Sequence, residues 1–192
     1  MQKGVEKLAQ QLLNEIWSTT ELKKVSLALE GLSHASGFKS SALAIVSNSR
    51  LSDEVKATQL LNLFNDIEIP VLQSFFAGVF SEGEFWLFSS KQFDYFDEFV
   101  RSFQITTEKL QVVQLVVAVE LFPREQMVIA KQLSDSLERQ VMLDLKVNPS
   151  IVGGAQIRVG NLVFDYTLRS KFNQFERQWI NRMARTTEFV GE

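Results

Sequence analysis

Eleven of the chain's 21 aromatic residues lie between Phe75 and Phe103, and no other feature restricts the fold so tightly. A buried ring removes roughly 150–250 Å² from water, so a segment this rich in rings has to form the centre of a core. The spacing is helical. Leu72, Phe75, Phe76 and Val79 recur at three and four residues, and after a break at Ser81 to Gly83 the residues Phe85, Phe88, Phe96, Phe99 and Phe103 continue the series. Most of these rings are expected in the core, with a surplus left over to form an apolar groove for an amphipathic helix.

The preceding residues read as further short helices. Val5, Leu8, Leu12 and Ile16 make one apolar face, and Leu22, Val25, Leu29 and Leu32 make a second after the cap candidates Thr19 and Thr20. A third helix is expected over Lys39 to Val46. Ser52 reads as an N-cap, with Asp53 and Glu54 in the favourable first turn ahead of Ala57, Leu60, Leu61 and Phe64. Pro70 opens the helix of Leu72 to Val79. Six helices with short connections predict a bundle.

The pattern changes at Gln104 to Lys109, which places the domain boundary at 106/107. Val112 to Val119 is β-branched and nearly all apolar, as for a strand covered on both faces. Pro123, Met127, Ala130, Leu133 and Leu137 give a helix; Val141, Leu143, Leu145 and Val147 alternate with Met142, Asp144 and Lys146 as in a half-buried strand. Ala155 to Val159 and Leu162 to Asp165 flank Gly160-Asn161, a two-residue hairpin turn. Leu168, Phe172, Phe175, Trp179 and Met183 stripe a long final helix. The expected fold is α+β: a six-helix bundle over residues 1–106, then a small α/β domain over 107–192 with a hairpin and a long last helix.

Charge and composition exclude several functions. The 192 residues are 45% hydrophobic with a net charge of −3, split as +2 from Ile151 onward and −5 before it, so no concentrated basic face for nucleic acid is present. No cysteine and a single histidine, His34, leave no thiol chemistry and no metal-ligand set. The longest apolar run is far short of the ~20 residues a membrane-spanning helix requires, so membrane association is expected to be indirect. The start, MQKGVEKLAQQ, carries no signal core and reads as an untargeted N-terminus.

One motif invites a nucleotide. Gly153-Gly154 sits in "VNPSIVGGAQIRVG", but a phosphate loop needs Gly-Lys-Ser/Thr before a helix, and here a strand follows. Pro149 and the two glycines are read as a bend into the hairpin. Asp165, where strand gives way to helix, is read as a cap for the last helix rather than a catalytic acid. No nucleophile elbow occurs, and neither a catalytic site nor a cofactor is expected.

The stretch Pro149, Ser150, Ile151, Val152, Gly153, Gly154, Ile157, Val159, Gly160, Asp165 resembles, in order and spacing, the C-terminal signature of the delta subunit of F-type ATP synthases, the oligomycin-sensitivity-conferring protein of mitochondria. "VVAVEL" at Val116 to Leu121 resembles the strand upstream of it. Asn148 stands where the family usually has aspartate, and Tyr166-Thr167 replaces a small or serine-containing step. The resemblance implies a stator subunit without catalysis or metal, linking N-terminal helices of the alpha subunits to the b subunits of the peripheral stalk during proton-driven synthesis. It implies a place at the cytoplasmic face of a bacterial inner membrane, or inside an organelle. By helix order it implies an alpha-subunit helix lying between the first and fifth helices, at Leu12, Ile16, Leu72, Phe76 and Val79, and b subunits at Phe172, Phe175 and Trp179. A free-standing helix-binding adaptor is the alternative, and an enzyme of unrecognised class a third.

Overall fold

The computed structural model describes residues 2–65, 67–89 and 95–187, in two compact units, Met1–Leu110 and Gln111–Glu192. Among the described residues it combines eight α-helices with one four-stranded sheet, a mixed α and β fold. Asp66, Phe93 and residues 188–192 lie outside that description.

In the first unit the helices are α1 (Gln2–Asn14), α2 (Thr19–His34), α3 (Ser36–Ser47), α4 (Asp53–Asn62), α5 (Pro70–Ser81) and α6 (Tyr95–Thr107), with a 3₁₀ turn at Phe85–Phe88. Local chemistry sets their ends. Ser52 Oγ accepts from Val55 N at 3.4 Å, and Pro70 starts α5, where its missing N–H leaves no helical bond unmade. The cap of α2 falls on Ser18, whose Oγ accepts from Glu21 N at 3.3 Å, rather than on Thr19 or Thr20, which already belong to the helix. α1 stops at Asn14, so Ile16 reaches the core from the following turn instead of extending the helical stripe.

α6 packs along α1 and against α2, and α4 packs against α5. The core is a network of rings: Phe64 stacks on Phe76 at 4.4 Å, Phe38 meets Phe64 edge-on at 5.3 Å, and Phe88 stacks on Phe96 at 5.4 Å. Phe75, Phe76, Phe80, Phe88, Phe96, Phe99 and Phe103 are all at most 5% exposed, so the expected surplus of rings does not exist among them. They fill one interior, because rings drawn from α3, α5 and α6 interlock rather than compete for the same volume. Around this core Asp97 accepts from Ser33 of α2 and pairs with Lys39 of α3 at 2.9 Å, tying three helices together at one carboxylate.

The second unit orders its strands β2-β1-β3-β4, with β1 (Gln111–Val117), β2 (Val141–Val147), β3 (Ala155–Val159) and β4 (Leu162–Asp165). β1 and β2 are parallel, joined through α7 (Pro123–Leu137), while β3 pairs antiparallel with β1 and with β4. α8 (Leu168–Thr187) closes the described chain. β1 is fully buried on one face only: Val113, Leu115 and Val117 are buried, whereas on the other Gln114 and Val116 are half-buried and Val112 is 48% exposed. The two-face expectation fails there because an apolar run cannot by itself show that a second layer exists.

Candidate docking surfaces

The Gly153-Gly154 step is a packing device. Gly153 O accepts from Leu168 N at 3.0 Å, and Ala155 O accepts from Tyr166 N at 2.9 Å, so the backbone of the bend lies directly on the start of α8. A Cβ on Gly154 would stand 2.3 Å from Tyr166 O, and its φ of +81° disfavours any other residue; a Cβ on Gly153 would meet Leu168 Cδ1 at 2.9 Å. The glycines therefore fix where α8 leaves the sheet. Gly160, with φ +57°, opens the hairpin turn between β3 and β4. Pro149 starts a short 3₁₀ turn ahead of the bend.

Asp165 acts at one remove from the cap assigned to it. Its Oδ1 accepts from Thr167 N at 2.9 Å and from Thr167 Oγ1 at 2.7 Å, and Thr167 Oγ1 in turn accepts from Ser170 N at 3.2 Å. Thr167, 4% exposed, is the N-cap, and Asp165 orients its hydroxyl. The hydroxyl and backbone hydrogen bonds from Thr167 lower the Asp165 pKa. His34 ends α2, where Nδ1 donates to Glu30 O at 2.8 Å. Among the described residues no group of three His, Asp or Glu is placed to hold a metal ion.

A groove runs between α1 and α5. Leu8, Gln11 and Glu15 wall it on one side and Phe75, Gly78, Val79 and Glu82 on the other. It continues past Gly4 and Lys7 to Trp86, whose Nε1 donates to Glu84 at 2.5 Å. The floor is apolar and barely accessible: Leu8 is 7%, Phe75 5% and Val79 6% exposed. Of the residues assigned from sequence to a docking face here, Val79 lines the groove, whereas Leu12, Ile16, Leu72 and Phe76 are 0% exposed and do not line it. The deepest residues of an apolar stripe face the core, and a partner meets those at the stripe's edge. Sequence reading missed Gln11, Glu15, Gly78 and Glu82, because only the packing of α1 near α5 brings them together.

The second surface is α8, where Phe172 is 70% and Phe175 63% exposed. Next to them Leu168 is 44% and Tyr166 57% exposed. Trp179 belongs to α8, but its side chain lies outside the described residues. Large apolar side chains held open in this number mark an interaction face.

Comparison with known proteins shows the family to which the chain belongs. The family model described as ATP synthase delta (OSCP) subunit matches residues 9–179. The chain belongs to that family. The ATP synthase subunit delta of Azotobacter vinelandii is 30% identical over 130 residues, covering 68% of this chain and 70% of that one. ATP synthase subunit delta 2 of Photobacterium profundum is 43% identical over 60 residues, 31% of this chain and 33% of its own. The match to the Stutzerimonas stutzeri subunit delta likewise spans less than half of that relative, 43%. A chain of the Toxoplasma gondii mitochondrial ATP synthase hexamer aligns over 92% of this chain and 97% of its own, at 16% identity and a TM-score of 0.38. As an ATP synthase delta (OSCP) family member, this chain is a stator subunit of ATP synthase, and nothing supports the free-standing adaptor. No helix among the described residues is long and apolar enough to cross a membrane.

Proposed function

We propose that the chain is the non-catalytic joint of the stator. Its first unit, a six-helix bundle, takes an N-terminal helix of an alpha subunit of the catalytic head in the α1–α5 groove. Its second unit takes the b subunits of the peripheral stalk along α8. It works at the cytoplasmic face of a bacterial inner membrane, held there through the complex. The division of labour falls at 106/107, at the last residues of α6.

The observation that carries this reading is the α1–α5 groove itself, a cleft with Leu8, Phe75 and Val79 at its floor and polar side chains along its walls. Helix-in-groove docking uses such strips, and a stator joint needs slow dissociation more than chemistry. Titration calorimetry of the whole protein against a synthetic peptide from the N-terminus of its own organism's alpha subunit tests it. Gly78→Leu, which fills the groove without touching the core, is expected to abolish binding while circular dichroism stays unchanged. Equal binding by this variant would remove the groove from the proposal. Phe76→Asp is not a usable probe, since it would bury a carboxylate among rings.

A further inference from the structure

We propose that the α1–α5 groove selects a cationic helix, one that sets a lysine or arginine against Glu15 and Glu82 and brings its backbone close at Gly78. This rests on the reading of the groove as a helix site and adds the chemistry of the occupant.

Two independent features of the groove point to it. The first is charge. Glu15 just after α1 and Glu82 just after α5 stand at the walls, with Glu84 beside them, and among the described residues lining the groove Lys7 is the one cation. Glu84 accepts from Trp86, and Glu15 and Glu82 are exposed residues of the groove lining. The unit as a whole is acidic, with ten Lys/Arg and fourteen Asp/Glu in residues 1–110. An anionic rim over an apolar floor repels an acidic helix and orients a basic amphipathic one. Partial burial raises the Glu15 pKa, a direction that a cation placed beside the carboxylate would oppose.

The second feature is Gly78. Unlike Gly154, it has no internal reason to be glycine: a Cβ there would meet no heavy atom within 4 Å. It sits inside α5, where glycine is unfavourable to the helix, and it is exposed in the groove wall. A missing side chain at that point opens the wall to the main chain of a second helix.

The test is titration of the whole protein with the alpha-subunit N-terminal peptide at low and high sodium chloride, with Gly78→Ala, Gly78→Leu and the double variant Glu15→Gln/Glu82→Gln. The amides keep shape and lose charge. The expected result is binding that weakens by roughly tenfold in the double variant, weakens in high salt for wild type but much less for the double variant, and weakens again in Gly78→Ala although that variant melts higher than wild type. Binding that Gly78→Leu abolishes but that ignores salt and the amides would overturn the cationic assignment and leave the groove standing as a helix site. Binding that ignores Gly78→Leu would overturn both, as would no binding by the folded protein.

Discussion

The two units leave their apolar surface in opposite states. Of the 17 large hydrophobic side chains exposed among the described residues, Leu27, Val55 and Ile105 belong to the first unit and the other 14 to the second. The first unit therefore closes its own core and offers a partner only a narrow strip, so its selectivity has to come from rim charges and steric room. The second offers broad apolar area at β4 and α8, so its affinity has to come from burial, at about 25 cal/mol for each Å² removed from water. On the proposed docking of a different partner at each unit, one joint would hold two partners by different physics.

The sharpest way to break this contrast is to truncate one ring in each unit. Phe76→Ala leaves a void among five neighbouring rings, Phe64, Phe75, Phe80, Phe96 and Phe99, and is expected to cost about 4 kcal/mol. Phe172→Ala should change the stability of the free protein by no more than about 0.5 kcal/mol, since the side chain is 70% exposed, while weakening capture of b subunits. Chemical denaturation of both variants reads the difference directly. A large loss from Phe172→Ala would mean that α8 is part of the second unit's own core.

Next in size is the bend that positions α8. Gly154→Ala has to relieve both a φ of +81° and a contact with Tyr166 O, and is expected to cost about 3 kcal/mol, measured as a lowered thermal midpoint. Gly153→Ala meets only the flexible end of Leu168 and should cost less. If the two were equal, the backbone approach at Gly154 would not be what the motif is for.

How much of this was legible follows from how far apart the deciding residues lie. Ser52, Pro70 and the Gly160-Asn161 turn act on residues within one turn of themselves, and sequence places them correctly. The purpose of Gly154 depends on Tyr166, twelve positions on, so the motif could be read as a bend but not as the seat of α8. Asp165 was legible as a residue serving the helix start, yet the cap belongs to Thr167, because the carboxylate is spent on that hydroxyl and amide. The groove was legible least. Apolar periodicity names Leu12 and Phe76, the residues that face inward, and is silent on Glu15, Gly78 and Glu82, which matter through what they leave open.

Thr167→Val removes the acceptor for Ser170 N while keeping the side chain's shape, and should cost about 1 kcal/mol. The associated pH dependence has a defined sign. The Asp165 pKa is depressed in the folded protein, so its contribution is present above the ordinary value of 3.8 and is lost as pH falls through the lower folded value. Acid titration of wild type against Asp165→Asn should show the difference fading only in that window. In the first unit the corresponding small substitution acts the other way. Gly78→Ala should stabilise the free protein by up to about 1 kcal/mol, because it improves a helix and meets nothing.

The smallest effect is the most specific. Burial raises the Glu15 pKa above 4.5, so its ionisation costs folding free energy: the cost is absent at pH values below the unfolded pKa and is complete once pH has risen through the folded one. Glu15→Gln should therefore match wild type in strong acid and be slightly more stable at neutral pH. In the complex the order reverses, because the glutamate then has a cation to meet. Peptide affinity for wild type should fall as pH drops through the Glu15 pKa, and Glu15→Gln, with Glu82, Glu84 and Lys7 left in place along the groove, should flatten that fall. A variant that is more stable free and weaker bound would separate the groove's charge from its shape, which no apolar substitution in the second unit can do.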